Sequence, residues 1–333
     1  MKLVKAEILW TRKCPLKCSY CDMADGRANS LTLGQWKLGF DNLKQLDCGF
    51  AAFYGAEPLF DFDKLPEIVG YAESIGIHTT VITSGAIKKL KEKLDILYYN
   101  GAKSLSMSYD IVALDSSSKV KTNNAIKNLL YFKDKGNIRD VAAISTLTRT
   151  NYKYFLKSVE ILSDLGIWSF FDLIHDDRKQ EGSKCKSSTI TKELMFKEGD
   201  NSYFIDFLYK LKNLKKQGYL CHSSYGFMDF IIQNPSRLQT YNWNCANEEG
   251  FPAWVTVDCD GIVYPCDDFQ PVISVSIPVY ELYNQWELFC QIWKPIVAAR
   301  CPGCLWNTHI DAHFIKQGKQ PFSDYVHIGT ERE

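Results

Sequence analysis

Up to about residue 175 the chain alternates strand-like and helix-like runs, and this alternation limits its possible folds more than any other feature. Strand candidates, rich in β-branched or aromatic residues, are 6–11, 50–54, 78–83, 103–109, 140–147 and 167–174. Helical runs at 32–46, 88–99, 120–135 and 152–165 lie between them. Gly76, Gly101, Gly136 and Gly166 stand just past helix ends, where a left-handed cap favours glycine.

Six strand–helix units in series predict a parallel sheet with helices outside it. Six are too few for a closed eight-stranded barrel. The expected fold class is therefore α/β, an open partial (β/α)6 barrel over residues 1–180, with its active face at the strand C-termini. A polar stretch and an amphipathic run at 198–217 make residues 181–240 a helical linker. Near residue 240 the composition turns aromatic and cysteine-rich, which marks 241–333 as a small C-terminal α+β domain. There, Asp260-Gly261 between two apolar runs signals a hairpin, and 280–300 is helical.

The 39 basic and 39 acidic residues balance, which argues against a long nucleic-acid footprint. No apolar run approaches the ~20 residues of a membrane span. Residues 1–5 lead straight into the first strand without a signal-peptide cleavage site. The expected location is cytoplasmic, away from the membrane. In that reducing compartment twelve cysteines point to metal binding or catalysis rather than disulfides.

Cys14, Cys18 and Cys21 have CxxxCxxC spacing in the loop after the first strand. Cysteine thiolates are the usual ligands of [4Fe–4S] clusters, which need four. Three local cysteines leave one iron open to chelate a small molecule. Zinc is the other reading of such spacing, but it wants a fourth nearby ligand. No Cys or His follows Cys21 before Cys48.

With the aromatic Tyr20 before its last cysteine, this loop resembles that of the radical S-adenosylmethionine (SAM) superfamily. A second match ends strand two: Gly55-Ala56-Glu57-Pro58 resembles the family's Gly-Gly-Glu-Pro motif. Ala56 replaces the second glycine, and the backbone contacts survive if its φ is negative. The resemblance covers about the first 175 residues. It implies that Cys14, Cys18 and Cys21 hold a catalytic [4Fe–4S] cluster and that Tyr20, Gly55, Ala56, Glu57 and Pro58 bind SAM. It also offers Ser84, Ser106, Ser108 and Arg149, on the expected active face, as contacts for the methionine carboxylate or ribose. Each serine can equally be bonded to backbone. His175, ending strand six, is the candidate catalytic contact to substrate. An external low-potential donor of flavodoxin or ferredoxin type would reduce such a cluster.

Cys245, Cys266 (as Gly261-x4-Cys), Cys301 and Cys304 resemble the shortened "twitch" form of the SPASM domain, an auxiliary-cluster module behind some radical SAM barrels. That implies a second [4Fe–4S] cluster closed by four thiolates and suited to electron transfer, with structural zinc as the alternative. Cys259 reads as a turn residue, though it could replace Cys245 or Cys266. Cys48 and Cys290 read as buried packing, and Cys185 and Cys221 as thiols able to reach the active face. His309 and His313, four apart on one helix face, read as packing rather than a metal pair.

The expected activity is that of an oxidoreductase. It would cleave SAM to a 5′-deoxyadenosyl radical, take hydrogen from a substrate C–H bond and pass an electron to the auxiliary cluster. Enzymes of the architecture it resembles modify peptides, or oxidise or epimerise small sugars and aminocyclitols. The substrate is accordingly a small molecule or a peptide, and an epimerase or peptide-crosslinking maturase is the alternative. The start at strand one tips the expectation toward a small molecule. The lack of a Gly-Gly tail speaks against a molybdenum-cofactor cyclase. A non-catalytic iron–sulfur carrier, supported by Ala56 alone, is the rival from another class.

Overall fold

The computed structural model describes residues 2–21, 23–112, 116–174, 189–240, 242–266, 276–301 and 303–323. Six strands, β1 (Lys5–Thr11), β2 (Phe50–Gly55), β3 (His78–Thr83), β4 (Ser104–Ser108), β5 (Asp140–Leu147) and β6 (Trp168–Leu173), each pair in parallel with the next. Five helices connect them: α1 (Leu33–Gln45), α2 (Leu65–Ser74), α3 (Leu90–Tyr99), α4 (Ser116–Lys133) and α5 (Phe155–Asp164). The strictly sequential strand order is that of an open partial barrel, as the alternation of runs predicts. Then come α6 (Thr189–Leu194), α7 (Asn201–Lys216), α8 (Tyr225–Gln233), α9 (Arg237–Thr240), α10 (Trp286–Arg300) and α11 (Asn307–Lys316).

The Asp260-Gly261 hairpin forms, with β7 (Trp254–Val257) antiparallel to β8 (Val263–Tyr264). Its sheet partner is a finding the turn signal did not contain. β7 runs parallel to β1, giving one open sheet in the order β6-β5-β4-β3-β2-β1-β7-β8. The cysteine-rich segment thus extends the barrel sheet itself.

Alternation along β1 sorts its two faces. Trp10 packs with Trp36 and Phe53, and Phe53 stacks on Phe40, in the layer beneath α1. A capping box starts that helix, Thr32 and Gln35 each accepting from the other's amide. Lys5 and Glu7 point to the opposite, concave face. Buried charges need partners, and here Lys5 bonds Glu7 while Glu7 meets His309 of α11 at 3.3 Å. His309 also stacks on Trp254, with centroids 3.9 Å apart, and His313 packs edge-on against the same ring. His309 thus faces a carboxylate as well as the Trp254 ring, and His313 shares that ring.

Candidate functional site

Because β1 to β7 are parallel, the segments after them gather along one sheet edge. The loop bearing Cys14, Cys18 and Cys21 follows β1, Glu57 follows β2, Ser84 follows β3, and Asp110 follows β4. Gly55 has φ +137°, and a Cβ there would lie 2.5 Å from the Thr11 carbonyl oxygen, so only glycine lets β2 approach the start of the cysteine loop so closely. The Ala56 amide donates to that same oxygen at 2.9 Å. Ala56 is absent from the residues of positive φ, so its methyl group causes no backbone strain.

Glu57 is fully buried and accepts from Thr83 Oγ1 (2.7 Å), the Ser84 amide (2.9 Å), the Ser84 hydroxyl and the Leu59 amide (3.2 Å). Burial pushes its carboxyl above the usual range, and these four bonds oppose the shift. Burial likewise raises the Cys14 thiol; the Leu16 amide opposes this, while Glu57, Cys21 and Cys18 reinforce it. Three thiols and Glu57 therefore share one electrostatic neighbourhood.

Tyr20 is anchored from below. Its phenol donates to Asp110 Oδ2 at 2.9 Å and accepts from Lys121 Nζ at 2.7 Å. Asp110 and Lys121 are themselves buried and 3.5 Å apart. Neither residue stood out in the sequence, since charged groups near loops ordinarily face solvent.

The remaining candidates divide. Ser106 is buried on the concave face, its hydroxyl 3.1 Å from Thr80 Oγ1, and Ser108 ends β4 half-buried. The Arg149 guanidinium is bonded to Asp200 at 3.2 Å. His175 and Cys185 lie outside the described residues. Cys221 does not reach the active edge: it is fully buried and bridged to Ser169 near the opposite, N-terminal end of β6. Cys48 is packed as expected, burial pushing its thiol up to about 12, but Cys290 is only half-buried.

In the C-terminal segment, Asn244 Nδ2 donates to the carbonyls of Val297 (3.2 Å) and Ala298 (3.3 Å) at the end of α10. This brings Cys245 beside Cys301, and burial together with Cys301 holds the Cys245 thiol well above its ordinary range. The Cys304 amide donates to the Trp243 carbonyl at 3.0 Å. Cys266 lies just past β8 and is buried. Cys259 lies against Arg27 and Asp258 of a network that reaches the first cysteine loop, and its carbonyl accepts from the Ser30 amide.

Among the described residues no three His, Cys, Asp or Glu side chains converge as ligands of a single metal ion do. Thiolates of a four-iron cluster bind different irons of the cube and stand further apart. The sulfur environments fit such ligands in both segments. The Leu16 amide points at Cys14 Sγ (3.4 Å) and the Gly303 amide at Cys301 Sγ (3.3 Å), each a donor that stabilises a thiolate. No helix among the described residues is long and apolar enough to cross a membrane.

The radical SAM superfamily profile matches residues 8–179, just over half of the 333. An S-adenosylmethionine-dependent nucleotide dehydratase of Selenomonas ruminantium is 39% identical over 84 residues, 25% of this chain and 30% of that protein. A PqqA peptide cyclase of Bradyrhizobium diazoefficiens is 32% identical over 102 residues, 30% of this chain and 26% of that protein. The matched stretches thus span under a third of either relative. In fold, the chain resembles Streptococcus suis SuiB bound to precursor peptide SuiA (TM-score 0.63, 17% identity, 85% of this chain and 64% of that one). It also resembles anSMEcpe with bound AdoMet (TM-score 0.55, 15% identity, 98% and 100%).

Proposed function

This chain belongs to the radical SAM superfamily, and we propose that Cys14, Cys18 and Cys21 would hold a [4Fe–4S] cluster and that the chain uses SAM to abstract hydrogen from a substrate. The observation that carries this is that the three-cysteine loop and Glu57 follow adjacent parallel strands, β1 and β2, whose ends are tied by the Ala56 amide to the Thr11 carbonyl at 2.9 Å. When bound, the cluster supplies the electron that splits the SAM sulfonium and so frees a carbon radical able to take hydrogen from an unactivated C–H bond. The chain's own part is to position. Gly55 and Ala56 bring backbone up to the loop, and Glu57, held by Thr83 and Ser84, presents a fixed carboxylate. Tyr20 is fixed through Asp110 and Lys121.

Cys245, Cys266, Cys301 and Cys304 are the proposed ligands of an auxiliary cluster, which would supply an acceptor for one electron from the substrate and so suit a net oxidation. The proposed domain boundaries stay at residues 180 and 240, with the hairpin shared between sheet and auxiliary site. A peptide replaces the small molecule as the favoured substrate class, because the relative from Bradyrhizobium diazoefficiens is by name a peptide cyclase; the relative from Selenomonas ruminantium, by name a nucleotide dehydratase, makes a nucleotide the second reading. The test is to reconstitute the protein anaerobically, reduce it with dithionite and add SAM. 5′-Deoxyadenosine should form, and replacing Cys14, Cys18 and Cys21 with Ala should abolish it. An intact, iron-loaded protein that leaves SAM uncleaved would rule out catalysis and favour the carrier reading.

A further inference from the structure

The cysteine loop has a neck. The Arg12 amide donates to the Arg27 carbonyl (2.8 Å), and the amides of Asp25 (3.1 Å) and Gly26 (3.0 Å) donate to the Arg12 carbonyl. Residues 12 and 25–27 therefore close a compact loop with Cys14 and Cys18 in its body. Arg12 and Arg27 bring two like charges to this neck. Both guanidinium groups converge on one carboxylate, Asp258, which is fully buried after β7. Arg12 binds it through Nε at 2.9 Å and Nη2 at 3.2 Å, and Arg27 through Nη2 at 3.1 Å. The Cys259 amide adds a further donor at 2.8 Å. Behind it, Gly261 at the hairpin turn has no room for a Cβ, which would meet Leu31 at 2.6 Å, so the hairpin is seated directly on the loop's exit.

We infer that Asp258 is a positioning residue for the cysteine loop: its carboxylate pins both sides of the neck, so the C-terminal hairpin, and not the barrel alone, sets the geometry at Cys14, Cys18 and Cys21. The physical reason is charge and shape together. A planar guanidinium gripped in two places fixes direction as well as distance. Without the carboxylate, the buried Arg12 loses the counter-charge that grips it in two places, while Arg27 keeps Asp25 at 2.9 Å and Asp260 at 3.5 Å and the two sides of the neck are no longer tied to one group. Asp25 lies further from Arg12, at 3.8 Å, and is half-exposed. The consequence for SAM rests on the proposed function; the consequence for the loop does not.

The experiment compares wild type with Asp258→Asn, Asp258→Glu and Arg27→Gln. In the apo-protein, trypsin should cut after Lys13 or Lys17 at least about fivefold faster in Asp258→Asn, because cleavage follows the population of the opened loop. In the reduced, iron-loaded protein, the change in the cluster's EPR spectrum on adding SAM should be lost in Asp258→Asn and largely restored in Asp258→Glu. Val159→Ala, a cavity in α5 at the far edge of the sheet, should lower the melting temperature without moving either signal. If Asp258→Asn does not fold, Arg27→Gln decides. It keeps the Arg12 pair and should shift cleavage about two- to threefold in the same direction. Wild-type cleavage and an unchanged SAM response in whichever variant folds would overturn the inference. A wild-type protein that shows no SAM response would instead overturn the proposed function, and the cleavage rates would still judge Asp258.

Discussion

Ser84 gives Glu57 two of its four hydrogen bonds, one from its amide at 2.9 Å and one from its hydroxyl, across the ends of β2 and β3. The serine offered by the sequence as a SAM contact is thus engaged with the carboxylate beside the cysteine loop. Its donors oppose the upward push of burial on this carboxyl, and two of the four come from Ser84, so its alignment depends on that residue. Ser84→Ala should weaken SAM binding to the iron-loaded protein by about three- to tenfold, less than the full worth of a bond to a charged acceptor because Ser84 acts through Glu57. Glu57→Gln should cost more, about tenfold or beyond, since an amide must turn a donor toward groups that are themselves donors. Equilibrium dialysis with labelled SAM measures both. Unchanged affinity in Ser84→Ala would mean that Glu57 does not need this partner.

Local pattern carried much of this architecture. The strand of residues 140–147 coincides with its β-branched run because such runs need only their own residues to be recognised. The cysteine loop was legible for the same reason. The anchors of that loop were not. Asp258 lies 246 residues from Arg12, and Asp110 lies 90 residues from Tyr20. No periodicity joins such pairs, and an isolated Asp, Lys or Arg in a loop reads as solvated. The parallel pairing of β7 with β1 was hidden likewise, because a turn signal specifies the turn and not the sheet it joins. Cys221 misled because its position at an element end implied reach, whereas tertiary packing seals it at the opposite end of β6.

Iron content separates the two proposed clusters. Anaerobic reconstitution should give roughly eight irons per chain, and replacing Cys14, Cys18 and Cys21 together with Ala should remove about half. Metal analysis by mass spectrometry reads both numbers. Zinc in place of the remaining iron would convert the C-terminal group into a structural site.

The two clusters should also separate by task. Cys301→Ala disturbs a sulfur next to Cys245 and far in sequence from the loop proposed to meet SAM. It should therefore spare 5′-deoxyadenosine formation while stopping product formation. Running the wild-type reaction in deuterated water tests the oxidation directly. Product two mass units lighter than substrate supports it. Product of unchanged composition with one solvent deuterium on carbon would make the chain an epimerase, and full turnover by Cys301→Ala would remove the acceptor role.

Asp311 on α11 gives a pH-dependent prediction independent of any cofactor. Burial pushes its carboxyl up to about 7, against the Ser224 hydroxyl, Lys215, Lys5 and Gln320, which favour the charged form. Between the unfolded value near 3.8 and the folded value, the native state holds a proton that the unfolded chain has released. Stability attributable to this group is therefore complete below the unfolded value. It falls as pH rises through the window, by about 1.4 kcal/mol per pH unit and on the order of 4 kcal/mol in all, and is level above the folded value. Asp311→Asn keeps an acceptor for Ser224 and removes the titration. Urea unfolding of the apo-proteins should find the two equally stable to within about 1 kcal/mol near pH 4 and the Asn variant more stable at pH 8. Subtracting one pH profile from the other cancels groups common to both, including Glu7, whose carboxyl Lys5 and His309 hold far below the usual range despite its burial. A difference that stays flat from pH 4 to 8, or grows in favour of wild type, would show that Asp311 is ionised throughout and held by its partners rather than protonated by its burial.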